Sequence, residues 1–286
     1  KGPVFEDRYF YLEYGGPSTD PFELIKQGDY IYMVGGFLNT DGNGNMKNLA
    51  RFHLLREKWE PIPGIDSRHA NFVRSMFADD EGNIWFGGDF GSIGGVNASK
   101  VAKFDTTTEK WSALRDNSTR VDRLGPSSGG VYAICRSGDY VYIGGFIFNS
   151  DDPAKRFIRR YNVATSKWES VGDGLNDRVN SLAVASNGDV YAGGGFTRSG
   201  DTVLSGLARW DGTEWSDVGG GVDGGVREIT FGFDGKLYVG GQFDSAGGVA
   251  AGNVAMWDGS KWDGMNGGVF GGGNVNGVFD LSVDSQ

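Results

Sequence analysis

The chain of 286 residues carries 50 glycines, one cysteine and a formal net charge of −10. That balance repels phosphate backbones and anionic headgroups, so nucleic acid and direct membrane insertion are set aside as partners. The lone Cys135 excludes an internal disulfide, and glycine without a G-X-Y period excludes collagen.

Glycine interleaved with aromatic and β-branched residues predicts many short strands. The first is "FELIKQ" (Phe22–Gln27), turned at "QGD" into "YIYMVGG" (Tyr30–Gly36). A loop leads to "LARF" (Leu49–Phe52), and a hairpin to a fourth strand that opens on Trp59. The same order then restarts at "FVRSMFA" (Phe72–Ala78), "VYAICR" (Val131–Arg136), "VNSLAVA" (Val179–Ala185) and "VREITFG" (Val226–Gly232). The turns after these strands, "DEGN", "SGD", "SNGD" and "FDGK", hold the Gly and Asp or Asn that positive φ demands.

Two markers measure the period. Gly pairs begin at Gly35, Gly87, Gly144, Gly193 and Gly240, spaced by 52, 57, 49 and 47 residues. Tryptophans recur at Trp59, Trp111, Trp168, Trp215 and Trp262, spaced by 52, 57, 47 and 47. In copies one and three the phenylalanine after the pair (Phe37, Phe146) falls one position early, with Leu38 and Ile147 in its usual slot.

Four strands in roughly 50 residues define a propeller blade. The chain ends on "VFDLSVDSQ" (Val278–Gln286), a sixth first strand, and "YLEYGG" (Tyr11–Gly16) matches "WSDVGG" near the end of the fourth copy. The expected fold class is therefore all-β. It is a β-propeller of four-stranded antiparallel blades, six in number with the last closed by the N- and C-terminal strands, or seven if completed outside this chain. A single domain, 1–286, divides into blades at 22–71, 72–130, 131–178, 179–225, 226–277, and 278–286 with 1–21. The Gly pair late in strand two is expected to let the neighbouring blade approach where a Cβ would clash. Lys1 is not an initiator Met and no basic-then-apolar leader follows it, so a processed form or a piece of a longer protein is expected.

"LARWDGTEWSDVGGGV", "VREITFGFDGKLYVGGQF" and "VAMWDGSKWDGMNGGV" resemble kelch-like or galactose-oxidase-type propeller repeats, in particular those of Gly-rich secreted surface proteins. "DDEGNIWFGG" (Asp79–Gly88) also resembles the sensor propellers attached to two-component regulators. The resemblance covers nearly the whole chain. It implies an extracellular interaction or structural module, and propellers host many unrelated activities.

Catalytic motifs are sparse. His53 and His69 are the only histidines, and no G-x-S-x-G elbow accompanies them. Copper chemistry of the galactose-oxidase type would need paired histidines and a tyrosine cross-linked to cysteine. Cys135, on an inner strand, reads instead as a buried inert thiol, so no cofactor or metal is expected. "DGNGN" (Asp41–Asn45) has calcium-loop spacing but Phe52 where an EF-hand needs Glu, and reads as a turn. "ADDEGNIW" keeps Asp80, Gly82 and Trp85 of a sialidase-type Asp box, which is itself a turn. "KRFIRR" (Lys155–Arg160) reads as a solvated basic edge or a docking patch for an acidic partner.

Strand alternation brings the two-to-three and four-to-one connections to one face. Charged residues just before inner strands, Arg68, His69, Arg120, Asp122, Arg123, Asp177 and Arg178, are the candidate binding residues at the channel mouth. Asn97 ("NAS") and Asn117 ("NST") are loop sequons that could accept glycans. The expected function is a non-enzymatic extracellular or cell-surface propeller that binds a protein or assembles with itself. The alternatives are a glycan-binding or glycan-cleaving propeller and a sensor ectodomain.

Overall fold

The computed structural model describes residues 21–38, 47–65, 73–114, 129–147, 156–269 and 277–281. Five four-stranded antiparallel sheets follow one another along the chain. The first contains β1 (Pro21–Gln27), β2 (Tyr30–Leu38), β3 (Lys47–His53) and β4 (Lys58–Glu60). In the second, β5 (Val73–Ala78) and β6 (Asn83–Gly88) are followed by a small hairpin, β7 (Ser92–Ile93) and β8 (Val96–Asn97), before β9 (Val101–Asp105) and β10 (Lys110–Ala113). The third is β11 (Val131–Ser137), β12 (Tyr140–Gly145), β13 (Ile158–Asn162) and β14 (Lys167–Glu169). The fourth has β15 (Val179–Val184), β16 (Val190–Gly194), the hairpin β17 (Arg198–Ser199) and β18 (Thr202–Val203), then β19 (Leu207–Trp210) and β20 (Trp215–Asp217). The fifth repeats this with β21 (Gly225–Phe231), β22 (Leu237–Gln242), the hairpin β23 (Ser245–Ala246) and β24 (Val249–Ala250), β25 (Val254–Trp257) and β26 (Trp262–Asp263).

The first strands β1, β5, β11, β15 and β21 pack each against the next, and so surround a common axis. The core is accordingly a set of layers between blades. One layer joins Tyr32 and Leu49 of the first sheet to Phe86 and Phe104 of the second. Another joins Tyr142 and Ile158 of the third to Val190 and Ala208 of the fourth. Second strands are covered on both sides: every residue of β6 is buried. This is the all-β propeller of four-stranded antiparallel blades that the repeat predicts.

The Gly pair does what its position suggests. A Cβ on Gly87 would stand 2.5 Å from Val131 Cγ1 of the next blade; on Gly144 it would meet Val179, and on Gly193 Val226, again at 2.5 Å. On Gly240 it would lie 2.7 Å from Val278 Cγ1. Val278 thus stands to Gly240 as Val226 stands to Gly193, and residues 277–281 take the sixth position around the axis. Tryptophans seal the same interfaces from outside. Trp111 Nε1 donates to the Pro63 carbonyl (2.7 Å), Trp215 to Val171 (2.9 Å) and Trp262 to Gly219 (3.0 Å), each in the connection that follows the preceding blade. Each of these tryptophans also packs at a tilt against a ring near the end of strand three, as Trp262 does against Trp257 with centroids 5.3 Å apart.

Register corrects one alignment. Glu23 pairs with Val34 as Ser75 pairs with Gly87, so Val34 holds the first Gly position in blade one. Phe37 is then in step with Phe90, not one residue early, and Leu38 is not the substitute. Ile147 does replace the phenylalanine in blade three: the Phe157 N–H donates to its carbonyl as that of Lys100 donates to Phe90. Arg159 and Arg160 of the basic cluster do not form a solvated edge either; Lys155 lies outside the described residues. Arg159 is buried beneath Trp168, and Arg160 lies over Tyr140 while pairing with Glu169 at 3.0 Å.

Candidate functional site

Every inner strand begins with an irregularity. Register shifts between Pro21 and Glu23, Val73 and Ser75, Val131 and Ala133, Val179 and Ser181, and Val226 and Glu228. One residue of each first strand is therefore extra, and a bulge of this kind re-aims side chains. Both the bulge residue and its successor reach the axis: Arg74 with Ser75, Tyr132 with Ala133, and Asn180 with Ser181 line one axial cavity of about 530 Å³. Glu23, Glu228 and Asp280 also line it, together with Leu24, Ile134, Leu182 and Leu281.

Bulge residues hold the following blade. Arg74 lies over the Tyr132 ring (5.3 Å), Asn180 Nδ2 donates to the Val226 carbonyl (2.6 Å), and Arg227 lies over Phe279 (5.2 Å). Their successors do the same through hydrogen bonds. Glu23 Oε2 accepts from the Met76 N–H (2.5 Å); Ser181 Oγ accepts from the Ile229 N–H (3.2 Å) and donates to Glu228 Oε1 (2.8 Å).

These carboxyls open onto the channel, yet protein surrounds them. Burial pushes Glu23 up to about 8; the Met76 N–H opposes this, and the charges of Glu228 and Asp280 add to it. Burial likewise raises Glu228 to about 7, opposed by the Ser181 hydroxyl and reinforced by Asp280. One cause lifts both, and each spends an oxygen on the next blade or the preceding one. Among the described residues no cluster of His, Cys, Asp and Glu is arranged to hold a metal.

Of the residues expected at the channel mouth, Asp177 and Arg178 are exposed directly before β15. Asp177 Oδ1 accepts from the Arg178 N–H (2.6 Å), and the Arg178 carbonyl accepts from the Gly195 N–H (3.1 Å). Arg68, His69, Arg120, Asp122, Arg123 and Asn117 lie outside the described residues, as does the "DGNGN" turn. Asn97 is exposed, but in β8 rather than a loop. Cys135 is buried on β11, and burial pushes its thiol well up. In the Asp-box segment the organising carboxylate is Asp79, not Asp80. It accepts from Trp85 Nε1 (2.8 Å) and the Asn83 N–H (2.8 Å), and pairs with Arg136 of the next blade (3.0 Å).

The connections on this face are braced. Asn176 Oδ1 accepts from the N–H groups of Thr197 and Arg198, tying the loop before β15 to the β17–β18 hairpin. Asp223 does the same one blade later, accepting from the N–H groups of Asp244 and Ser245 and from Ser245 Oγ. The small hairpins themselves were missed by sequence reading; "SIGGVN", "RSGDTV" and "SAGGVA" were their signal.

Comparison with known proteins agrees with this architecture. A two component regulator propeller model matches residues 67–90. Human kelch domain-containing protein 10 is 21% identical over 193 residues, covering 64% of this chain and 42% of that protein. Human kelch-like protein 23 is 22% identical over 213 residues, covering 73% and 32%. The chain thus spans less than half the length of these curated relatives. Among solved structures, the extracellular domain of a candidate one-component system from B. thetaiotaomicron superposes with a TM-score of 0.54 at 18% identity, covering 87% of this chain and 28% of that one. Virginiamycin B lyase from Staphylococcus aureus gives 0.51 at 13%, covering 86% and 69%. The fold is a β-propeller, and its repeats are kelch-like. No α-helix among the described residues is long and apolar enough to cross a membrane.

Proposed function

We propose that the chain is a non-enzymatic, extracellular or cell-surface propeller. It binds a protein partner, or a second copy of itself, on the face bearing the β17–β18 and β23–β24 hairpins. What carries this reading is the bracing by Asn176 and Asp223, which fixes the loops before any partner arrives. A preformed loop surface loses less entropy on binding than a floppy one. Asp177 and Arg178 supply exposed charge beside the braced loop, and Arg68, His69, Arg120, Asp122 and Arg123 are proposed to join them.

The test combines sedimentation of the purified chain at micromolar concentration with affinity capture from the source cell's envelope and medium. Wild type should self-associate or retain a defined polypeptide, and the charge-reversed D177K/R178E variant should lose it. Retention indifferent to the reversal would overturn the choice of face. Release of a bound glycan, with no polypeptide held, would favour the carbohydrate alternative. A sensor ectodomain is a second reading, favoured by the regulator-propeller match over residues 67–90. It requires a membrane span adjoining this segment in the full-length protein.

A further inference from the structure

The residue after the bulge varies around the axis in a pattern. From blade one it runs Glu23, Ser75, Ala133, Ser181, Glu228 and then Asp280 in the sixth position. Three small residues occupy consecutive places, and three acids occupy the other three. The acids come from β1, β21 and residues 277–281, and all three line the axial cavity. Val278 is tied by its N–H to the Gly241 carbonyl (2.9 Å).

Among the described residues lining the cavity, Arg74 from β5 is the one cation, and it lies over Tyr132. Arg227 of β21 lies over Phe279. From β15 come Asn180 and Ser181; opposite Glu23 on β2 is Val34, and opposite Glu228 on β22 is Gly240. Three carboxylates lining one cavity, with a single cation among its described lining residues, repel one another when all are ionised.

We propose that Glu23 and Glu228, with the Asp280 carboxylate beside them, form a proton-dependent latch between β1, β21 and residues 277–281, holding these segments together and loosening them when the two glutamates ionise. This goes beyond the partner-binding reading and does not depend on it. The sign follows from linkage. Glu23 and Glu228 hold protons more tightly folded than unfolded, so stability is full below the ordinary carboxyl value of 4.5 and falls as pH rises to about 8. The folding equilibrium should weaken on the order of a hundredfold across that window after allowance for solvent screening.

The experiment is urea unfolding of the full chain from pH 5 to 9, with hydrogen exchange at the Val278 N–H and, as an internal control, the Gly194 N–H within blade four. Wild type should lose stability as pH rises, and Val278 should lose protection at least tenfold more than Gly194 after correction for intrinsic exchange. E23Q/E228Q should remove most of that pH dependence. If that pair does not fold, D280N at an exposed position should still diminish it. An unchanged pH slope in the folded variants, or Val278 tracking Gly194, would overturn the latch.

Discussion

Gly193→Ala tests whether missing side chains set the blade spacing. The new methyl would stand 2.5 Å from Val226 Cγ1 and 3.1 Å from Ile229 Cγ2, against an optimal carbon separation of about 3.5–4.0 Å. Val226 is fully buried and cannot turn outward. Overpacking of this kind costs about 1–3 kcal/mol, while replacing glycine inside a strand returns roughly 0.5–1 kcal/mol. A net loss of about 1 kcal/mol, within a range of about 0–2.5, is expected in urea unfolding, with the midpoint lowered and the slope unchanged. Val226→Ala should then couple with it: the double variant should be more stable than the two single losses predict, by at least about 0.5 kcal/mol. Gly91→Ala is the control, since nothing lies within 4 Å of its Cβ position. Stability at or above wild type in G193A, or strict additivity with V226A, would refute the reasoning. Blade one carries Val34 at the register position that Gly87 holds in blade two, so a side chain at this position is not excluded in every blade.

Two further changes probe the same interfaces. Trp215→Phe removes the donor to the Val171 carbonyl, whose residue is fully buried, and should cost about 1–3 kcal/mol in thermal unfolding; a loss under about 0.5 kcal/mol would mean the ring serves only as bulk. Asp79→Asn removes one of the two carboxylates that pair with Arg136, Glu81 keeping the other at 2.8 Å, and weakens the bonds from Trp85 and Asn83, so it should cost about 1.5–3 kcal/mol. Burial opposes the charge on Asp79, but Trp85, Asn83 and Arg136 together hold its carboxyl below the usual value. Its stabilisation is therefore complete above about pH 4 and lost as pH falls through that lowered value, so wild type and D79N should converge in acid. A gap that persists at pH 2 would assign the effect to shape rather than charge.

The blades were legible because packing against neighbours on both sides imposes the same demands in each copy. Trp59, Trp111, Trp168, Trp215 and Trp262 and the Gly pairs are what those demands leave in the sequence. Local conformation was less legible. Lys100 and Phe157 precede strand three with φ of 69° and 65°, as Gly206 does with 70°, and neither residue type announces a left-handed backbone. Arg159 was misjudged because a basic run suggests solvent, whereas an arginine stem and a tryptophan face can be buried together.

The axial site was hidden for a more specific reason. Strict alternation puts successive residues on opposite faces of a strand, so Arg74 and Ser75, or Asn180 and Ser181, cannot both be assigned to the channel from pattern alone. The bulge in each inner strand breaks the alternation at that step, and both residues then face the axis. Attention to charged residues in the preceding loops singled out Asp177 and Arg178, exposed directly before β15, but passed over Glu23, Glu228 and Asp280, which line the axial cavity. Yet a signal existed. In six aligned copies a position that tolerates serine or alanine turns acidic three times, and always at neighbouring positions around the axis. Chance substitution on a solvated surface would scatter such changes, whereas a shared cavity concentrates their consequences.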